Sequence, residues 1–297
     1  ELLRDTGAEW FEQNGSVYIV EIPAKTVSPG DKLPRIRLVS GFHTDVGQVR
    51  EVDEDSLLAL QLDGLCEMTN SPVLAFFAVA DGIGGQDAGE IASRIAVHTL
   101  AAQVMQRIFI AELGGNQSPI EELSEQLYQA ILAANQAILD LRETLDGSNM
   151  GCTLTAALLR GTTAVVANIG DSRTYLMHDG KLSQLTRDHS MVAKLVEQNL
   201  MRPEEIYSFE QKGVIYRSLG DNFDLLVDLD VVELSIGDRL LLCSDGLWDM
   251  VRDTFIEDVM LEQYDPQPAS ERLVELANMA GGEDNISVIV VDIRSPD

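Results

Sequence analysis

The chain has 297 residues, of which 45% are hydrophobic and 24% are charged, a composition typical of a globular protein with a sizeable core. Its 49 acidic and 21 basic residues give a formal net charge of −28. That charge argues against nucleic acid or an anionic membrane surface as the main partner, because both repel an acidic protein. A substrate that carries phosphate would therefore need a cation in its binding site.

The cysteines and the hydropathy indicate a cytoplasmic protein. Cys66, Cys152 and Cys243 are odd in number, form no Cys-x-x-Cys pair and lie at no metal-ligand spacing with a histidine. No uncharged stretch approaches the length of a membrane span, and the N-terminus lacks the basic and then apolar pattern of a signal peptide. We therefore expect a protein of the reducing cytoplasm that does not bind membranes.

The first part of the chain differs from the rest. In residues 1–35, glycine and proline punctuate one short strand-like run at 17–22, which indicates an N-terminal extension. From residue 36 onward, paired strand patterns alternate with long helical patterns, and no second linker follows. Residues 36–297 are therefore predicted to form one large domain.

The predicted elements of that domain indicate its fold class. Strands are predicted, in chain order, at residues 36–42, 56–62, 73–80, 153–159, 164–169, 174–178, 225–234, 239–243 and 285–291. Helices are predicted at about 88–104, 119–144 and 269–279. The second helix carries its apolar residues on one stripe: Ile120, Leu123, Leu127, Ile131, Ala134, Ile138 and Leu141. The pattern predicts an α+β fold, a four-layer α-β-β-α sandwich of two antiparallel sheets flanked by helices.

Acidic residues stand at the ends of apolar strands, where a core strand meets solvent. Asp81 and Asp245 each follow a strand, whereas Asp284 and the pair Glu54-Asp55 each precede one. Carboxylates that a fold brings together repel one another unless a cation neutralises them. Oxygen ligands without Cys or His favour Mg²⁺ or Mn²⁺ over zinc. Two such ions, about 3.5–4 Å apart, would activate a water and hold phosphoryl oxygens.

Each of these segments alone has a simpler explanation. Asp-Gly is a common turn dipeptide, and both Asp81 and Asp245 are followed by glycine. The run Gly82-Ile83-Gly84 also resembles a dinucleotide-binding loop, but Asp87 stands where the third glycine is required. The inference of a metal site therefore depends on several segments occurring together.

Eight segments, in order, resemble the metal-dependent protein phosphatase family, type 2C, especially its bacterial branch. The resemblance covers nearly the whole chain from about residue 39 to residue 293. The segments are Gly47-Gln48-Val49-Arg50-Glu51-Val52-Asp53-Glu54-Asp55-Ser56, Asp81-Gly82-Ile83-Gly84-Gly85, Gly151-Cys152-Thr153, Asn168-Ile169-Gly170-Asp171-Ser172-Arg173, Leu185-Thr186-Arg187-Asp188-His189-Ser190, Arg217-Ser218-Leu219-Gly220, Ser244-Asp245-Gly246-Leu247-Trp248 and Glu283-Asp284-Asn285.

The resemblance implies a role for each matched metal-site residue. Asp81 would bridge two ions, Gly82 would offer its carbonyl oxygen to one of them, and Asp245 and Asp284 would ligate the other. Glu54 and Asp55 match positions that hold metal-bound waters.

Two further matched residues each keep an alternative. Arg50 matches the phosphate-binding arginine, which with Asp81 and Asp245 would make up the catalytic set; alternatively it is tied to neighbouring carboxylates. Asp171 resembles the ligand of a third, weaker ion, but Gly170-Asp171 is equally explained as a turn between two strands. Asn285 is expected to orient Asp284, and residues 189–220 resemble the flap beside the active site.

Three positions depart from the family pattern. Ile83 stands where eukaryotic relatives carry a histidine proposed to protonate the leaving alcohol, and Gln86 replaces a histidine common in bacterial members. The general acid is therefore unassigned, and His189 is expected to make a structural hydrogen bond rather than to transfer protons. Asp53 replaces an asparagine near Arg50 and would either strengthen metal binding or compete for the arginine.

The sequence thus predicts a serine/threonine protein phosphatase, a monomer that hydrolyses phosphoserine and phosphothreonine in proteins through a water activated by two Mn²⁺ or Mg²⁺ ions. Two alternatives remain open. One keeps the same ions but assigns a small phosphorylated metabolite or a phosphodiester as substrate. The other is a non-catalytic regulatory domain with the same fold, which should have lost at least one metal ligand.

Overall fold

The structure, a computed structural model, describes residues 9–13, 16–21, 36–62, 73–84, 88–113, 118–144, 150–209, 212–221 and 224–296. The chain divides into two compact units, Glu1–Leu33 and Pro34–Asp297. In the first unit, strand β1 (Glu9–Gln13) pairs antiparallel with β2 (Ser16–Glu21), the run predicted at residues 17–22. The rest of the predicted N-terminal extension lies outside the described residues, as do Cys66 and Gln86.

The second unit contains twelve strands and seven α-helices within the described residues. The strands are β3 (Arg37–Asp45), β4 (Ser56–Leu62), β5 (Leu74–Ala80), β6 (Gly82–Gly84), β7 (Met150–Cys152), β8 (Leu154–Arg160), β9 (Thr163–Ile169), β10 (Arg173–His178), β11 (Lys181–Gln184), β12 (Asp228–Glu233), β13 (Arg239–Cys243) and β14 (Ile286–Arg294). The helices are α1 (Ala88–Val104), α2 (Ile110–Leu113), α3 (Ile120–Thr144), α4 (Met191–Glu197), α5 (Asp245–Trp248), α6 (Asp253–Glu262) and α7 (Pro266–Met279).

Two antiparallel sheets form the centre of this unit. One has the strand order β11-β10-β13-β14-β3 and the other β12-β9-β8-β5-β4, while β6 and β7 form a separate short pair. Strand β5 is buried on both faces, with Phe76 packed towards the helices α1 and α3 and Phe77 packed between the sheets. Strand β14 does the same in the other sheet, where Val288 faces α6 and α7 and Ile289 faces the opposite sheet. The predicted four-layer α-β-β-α sandwich is confirmed.

The predicted apolar stripe of the long helix is also confirmed. Leu123, Leu127, Ile131 and Ile138 of α3 are buried in the same cluster as residues of α1 and of the adjacent sheet. Because the stripe covers one face of the helix only, the opposite face stays polar, as expected for a helix that packs on a sheet from outside. Among the described residues, no helix is long and apolar enough to cross a membrane.

Several elements differ from the prediction. The strand predicted at 225–234 is shorter, since pairing with β9 begins only at Asp228, whereas Leu225 packs into the core beside α3. The pair β6–β7, the edge strand β11 and the helices α4 and α6 were not predicted. Cys152 and Cys243 are buried free thiols, as expected, and burial raises the pKa of both.

Candidate metal centre

Carboxylates from both sheets meet at one end of the sandwich. Asp81 follows β5 of one sheet, Asp245 follows β13 of the other, and Asp284 precedes β14. Burial raises the pKa of Asp81 well above its usual value, and the charges of Asp245, Asp55, Asp171 and Asp284 raise it further, in that order. The structure therefore brings these five predicted side chains into one electrostatically coupled cluster.

The cluster contains buried carboxylate oxygens without hydrogen-bond partners of standard geometry. Both carboxylate oxygens of Asp55 and the Oδ1 atom of Asp245 are buried and have no hydrogen-bond partner of standard geometry among the described residues. Burial raises the pKa of Asp55 to about 8, although the Ser244 and Ser287 hydroxyls act to lower it. Burial, and then the charge of Asp284, raise the pKa of Asp245 to about 7, against a lowering hydrogen bond with Asp81.

This donor set fits hard divalent cations. Unpaired buried carboxylates are costly, and a cation between them would convert their repulsion into attraction. All the donors are oxygens, which is the preference of Mg²⁺ and Mn²⁺. In the described parts of the chain, no three or more His, Cys, Asp or Glu side chains have their donor atoms arranged with the geometry of a metal site. The carboxylates are thus gathered by the fold, and their roles as ligands stay a prediction.

Arg50 lies at the edge of the cluster. Its Nη2 donates to Oδ2 of Asp284 at 2.6 Å, and its Nη1 lies 4.0 Å from Oε2 of Glu54. In this structure Arg50 is therefore paired with neighbouring carboxylates, as the alternative interpretation predicted. The Arg50 side chain is nevertheless 46% exposed, so its guanidinium remains accessible to a phosphoryl group, which it would bind through two parallel hydrogen bonds.

Asp53 does not compete for Arg50 in this structure. Its Oδ2 accepts a hydrogen bond from the Thr44 hydroxyl at 2.9 Å, and its Oδ1 accepts one from the N–H of Asp55 at 3.1 Å. The Asp53 charge also contributes to the raised pKa of Asp55. The departure from asparagine at position 53 therefore adds negative charge next to Asp55 and leaves the arginine free for Asp284.

Gly82 lies where three backbone segments come into contact. Its N–H donates to the Glu54 carbonyl at 3.1 Å, and that same carbonyl accepts a hydrogen bond from the Ser93 hydroxyl at 2.6 Å. A Cβ atom at position 82 would lie 2.4 Å from the Gly89 carbonyl oxygen and 2.5 Å from that of Glu54. Only glycine permits this approach, which holds Glu54 and Asp81 next to each other at the ends of the paired strands β4 and β5, beside α1.

We expect Gly82→Ala to lower the free energy of unfolding by about 2–3 kcal/mol, because the new methyl group must displace main-chain atoms. Chemical denaturation of the metal-free protein measures this loss. The matched control is Gly213→Ala, since an added Cβ there has no atom within 4 Å. The close packing around Gly82 would be refuted if both variants unfolded at the same denaturant concentration.

Asp171 lies in the turn between β9 and β10, and it also faces the cluster. It is only 3% exposed, and its carbonyl accepts a hydrogen bond from Nε1 of Trp248 at 2.9 Å. Burial raises its pKa well above the usual value, followed by the charges of Asp245 and Asp188. The segment therefore connects the two strands, in agreement with the simpler explanation, and its carboxylate also interacts electrostatically with Asp245. That metal-binding role stays a prediction.

His189 makes structural hydrogen bonds with both ring nitrogens. Its Nδ1 accepts from the N–H of Gly170 at 3.1 Å, so the ring proton is on Nε2, which lies 3.1 Å from Oδ2 of Asp228. Arg217 reaches the same Asp228 carboxylate at 3.0 Å. With 1% exposure, this imidazole is buried among its hydrogen-bond partners, which agrees with the predicted structural role.

We expect His189→Gln to lower kcat by less than about tenfold and the free energy of unfolding by about 1–3 kcal/mol. The substitution removes buried hydrogen bonds but does not remove a catalytic general acid. A general acid would contribute about 100- to 10,000-fold. The profile of kcat against pH decides between the two roles. Loss of its alkaline limb in the variant would show that His189 transfers the proton after all.

Some contacts of the site were not foreseen. The Asn285 side chain does not contact the Asp284 carboxylate; the Asn285 backbone N–H donates to Oδ1 of Asp284 at 2.9 Å instead. The expected orienting contact is therefore made by the main chain. In the predicted flap, Lys212 forms an ion pair of 2.6 Å with Asp249, one turn after Asp245. The ion pair of Lys212 with Asp249 has no signature in the sequence, because its two partners are distant along the chain.

Comparison with known proteins identifies the family. A family model described as protein phosphatase 2C matches residues 59–279. The serine/threonine phosphatase stp of Listeria welshimeri serovar 6b is 35% identical over 253 residues, which cover 84% of this chain and 94% of that protein. The crystal structure of the Mycobacterium tuberculosis serine/threonine phosphatase PstP/Ppp has a TM-score of 0.73 and 36% identity, and the match covers 87% of this chain and 99% of that one.

A further solved structure is the catalytic domain of the serine/threonine protein phosphatase PstP in complex with two manganese ions. It has a TM-score of 0.71 and 34% identity, and the match covers 87% of this chain and 99% of that one. The resemblance drawn from the eight sequence segments is thereby confirmed, with bacterial proteins as the relatives. The chain belongs to the protein phosphatase 2C family.

Proposed function

We propose that the chain is a metal-dependent serine/threonine protein phosphatase whose two Mn²⁺ or Mg²⁺ ions are held by Asp81, Asp245 and Asp284. The proposal extends to the Gly82 carbonyl as a further ligand and to Glu54 and Asp55 as holders of metal-bound waters. Asp171 would hold a third, weaker ion. One observation carries the proposal: buried carboxylate oxygens that lack partners converge from both sheets.

When bound, such ions supply a water that ionises near neutral pH and neutralise the charge on phosphoryl oxygens. The protein's own groups provide the rest. Asp81 and Asp245 stand in a buried setting that strengthens their attraction for cations. Arg50 is exposed beside them and is proposed to hold the phosphoryl group in line with the nucleophile. Ile83, which has no titratable group, provides no proton for the leaving alcohol.

The substrate class is proposed from the relatives. The relatives that this chain matches are serine/threonine phosphatases, so phosphoserine and phosphothreonine in proteins are the proposed substrates. We further propose that residues 36–297 are the catalytic domain, that residues 1–35 are an extension of it, and that the protein acts as a cytoplasmic monomer. The net charge of −28 favours a protein substrate over nucleic acid. The regulatory-domain alternative has no support, since each expected carboxylate is present.

The experiment compares a phosphothreonine peptide with para-nitrophenyl phosphate, with and without added Mn²⁺. We expect turnover of both only with metal, and competitive inhibition of one by the other, because one site would serve both. A small-metabolite enzyme would instead hydrolyse para-nitrophenyl phosphate and ignore the peptide. Absence of turnover with every divalent cation tried would refute the proposal.

We expect Arg50→Ala to lower kcat/KM by about 100-fold, since it removes a donor aimed at the phosphoryl group. Steady-state kinetics at saturating Mn²⁺ measures the loss. Arg272→Ala is the matched control, because Arg272 is similarly exposed, at 41%, and is likewise ion-paired, with Glu275. Arg272→Ala should stay within about twofold of the unmodified enzyme. Equal effects of the two substitutions would remove Arg50 from the proposed machinery.

A further inference from the structure

The segment that carries Arg50 has little apolar support. Residues 46–54, here termed the Arg50 loop, connect β3 to β4. Two of its three valines are exposed, Val49 at 65% and Val52 at 44%, and Val46 is half-buried. A cavity of about 460 Å³ lies between Gln48 and helix α7. Since hydrophobic packing does not fix this loop, its conformation must depend on polar contacts.

One buried amide contacts both ends of the loop. The Nδ2 atom of Asn285 donates to the Val46 carbonyl and to the Val52 carbonyl, each at 2.9 Å. Its Oδ1 atom accepts from the N–H of Glu54, also at 2.9 Å. Asn285 is 3% exposed. Both amide protons and the carbonyl oxygen are therefore used on the two ends of a single loop, which closes it around Arg50.

The same residue also fixes the other side of the Arg50 contact. The Asn285 backbone N–H donates to Oδ1 of Asp284, and Oδ2 of the same carboxylate accepts a hydrogen bond from Arg50. The Arg50 loop also contacts the backbone of the segment that precedes β14, residues 282–285, because the N–H of Gln48 donates to the Gly282 carbonyl at 2.7 Å. Gly47 has φ of +82°, and a Cβ there would lie 2.3 Å from the Asp284 carbonyl oxygen. Loop and segment therefore form one hydrogen-bonded unit.

We infer that Asn285 is a positioning residue for the phosphatase reaction: it holds the Arg50 loop so that the guanidinium stays at the carboxylate cluster. The inference rests on the proposed role of Arg50. Arginine has a long and flexible side chain, so its place depends on where its backbone is held. A displacement of about 1 Å of a binding group costs about 100-fold in rate, and the Asn285 amide joins residue 46 directly to residues 52 and 54.

A double-mutant cycle in activity tests the inference. Asn285→Ala, Arg50→Ala and the double variant are compared for kcat/KM with para-nitrophenyl phosphate and for inhibition by inorganic phosphate. We expect each single substitution to lower kcat/KM by about 30- to 100-fold and to weaken phosphate inhibition. The double variant should match Arg50→Ala within about threefold, because Asn285 has nothing to position once the guanidinium is gone.

Two outcomes would overturn the inference. Losses that multiply in the double variant would mean that Asn285 acts independently of Arg50, and unchanged kinetics in Asn285→Ala would mean that the loop holds itself. An inactive Asn285→Ala with a fully active Arg50→Ala would instead refute the proposed role of Arg50. Leu127→Ala, in the helix layer on the other side of the molecule, is the control for a general loss of stability and should leave kcat/KM unchanged.

Amide hydrogen exchange of the metal-free protein provides a readout that does not depend on activity. In Asn285→Ala, the peptide that spans residues 46–54 should exchange at least about tenfold faster, since the Glu54 N–H loses its acceptor. Peptides from α3 should be unaffected. If the alanine variant does not fold, Asn285→Ser keeps a small polar side chain at the position and is measured in the same way. Unchanged exchange in the 46–54 peptide would overturn the inference.

Discussion

Asp245→Asn should abolish metal-dependent hydrolysis and at the same time stabilise the metal-free protein. The loss of a proposed ligand carboxylate should lower kcat by at least about 1,000-fold, since the ions supply several kcal/mol of transition-state stabilisation. The gain in stability arises because Asp245 is buried beside Asp284 and has an oxygen without a partner. Removing its charge relieves that repulsion, by on the order of 1 kcal/mol.

The pH dependence of this gain has a definite sign. The pKa of Asp245 is raised from about 3.8 to about 7 in the folded protein, so the folded state binds a proton more tightly than the unfolded state. The stability of the metal-free protein should therefore fall as pH rises from about 4 to about 7. The asparagine variant lacks this contribution. Its advantage over the unmodified protein should be larger at pH 8 than at pH 5.

Thermal unfolding in the presence of a chelator measures the stability change, and hydrolysis of para-nitrophenyl phosphate with Mn²⁺ measures the activity. Asp258→Asn is the control, because it removes the same charge from an exposed position of helix α6. It should change neither quantity appreciably. A metal-free Asp245→Asn protein that is less stable than the unmodified one would contradict the electrostatic account of the cluster.

The strand pattern predicted the fold well where burial decides it. The strands β4 and β13 begin and end at the predicted residues, because each is an apolar run bounded by polar residues. The prediction was poorer for elements whose structure depends on contacts with the rest of the fold and not on their own residue pattern. The helix α6 has only ten residues, and β11 is a short, polar edge strand, so neither is long enough to produce a clear periodic signal.

The candidate site was partly predictable for the same reason. Acidic residues at strand ends can be read directly, and the fold then gathers Asp81, Asp245 and Asp284 as expected. The choice of hydrogen-bond partners cannot be read in this way. Nothing in the sequence tells that Arg50 pairs with Asp284, or that the Asn285 amide reaches back more than 230 positions along the chain to the Arg50 loop.

A buried ion pair behind the site is expected to give a large loss of stability when one of its partners is removed. Nε of Arg173 donates to both carboxylate oxygens of Asp188, at 3.0 and 3.1 Å, and Nη2 donates to Oδ2 at 2.7 Å. Both side chains are 5% exposed. The guanidinium also stacks on the Trp248 ring at 3.7 Å and donates to the Tyr175 hydroxyl. The pair therefore joins the root of the flap to the helix that carries Asp245.

We expect Asp188→Ala to lower the free energy of unfolding by about 3–5 kcal/mol, because it leaves the Arg173 guanidinium buried without a counter-ion. Urea denaturation of the metal-free protein measures the loss. Glu275→Ala breaks the exposed pair with Arg272, and should cost less than about 1 kcal/mol. The double variant Arg173→Met with Asp188→Leu should recover part of the loss, since it removes both charges and not one. If Asp188→Ala were no more damaging than Glu275→Ala, the guanidinium would have another partner or access to water, and the pair would not be what joins the flap to the site.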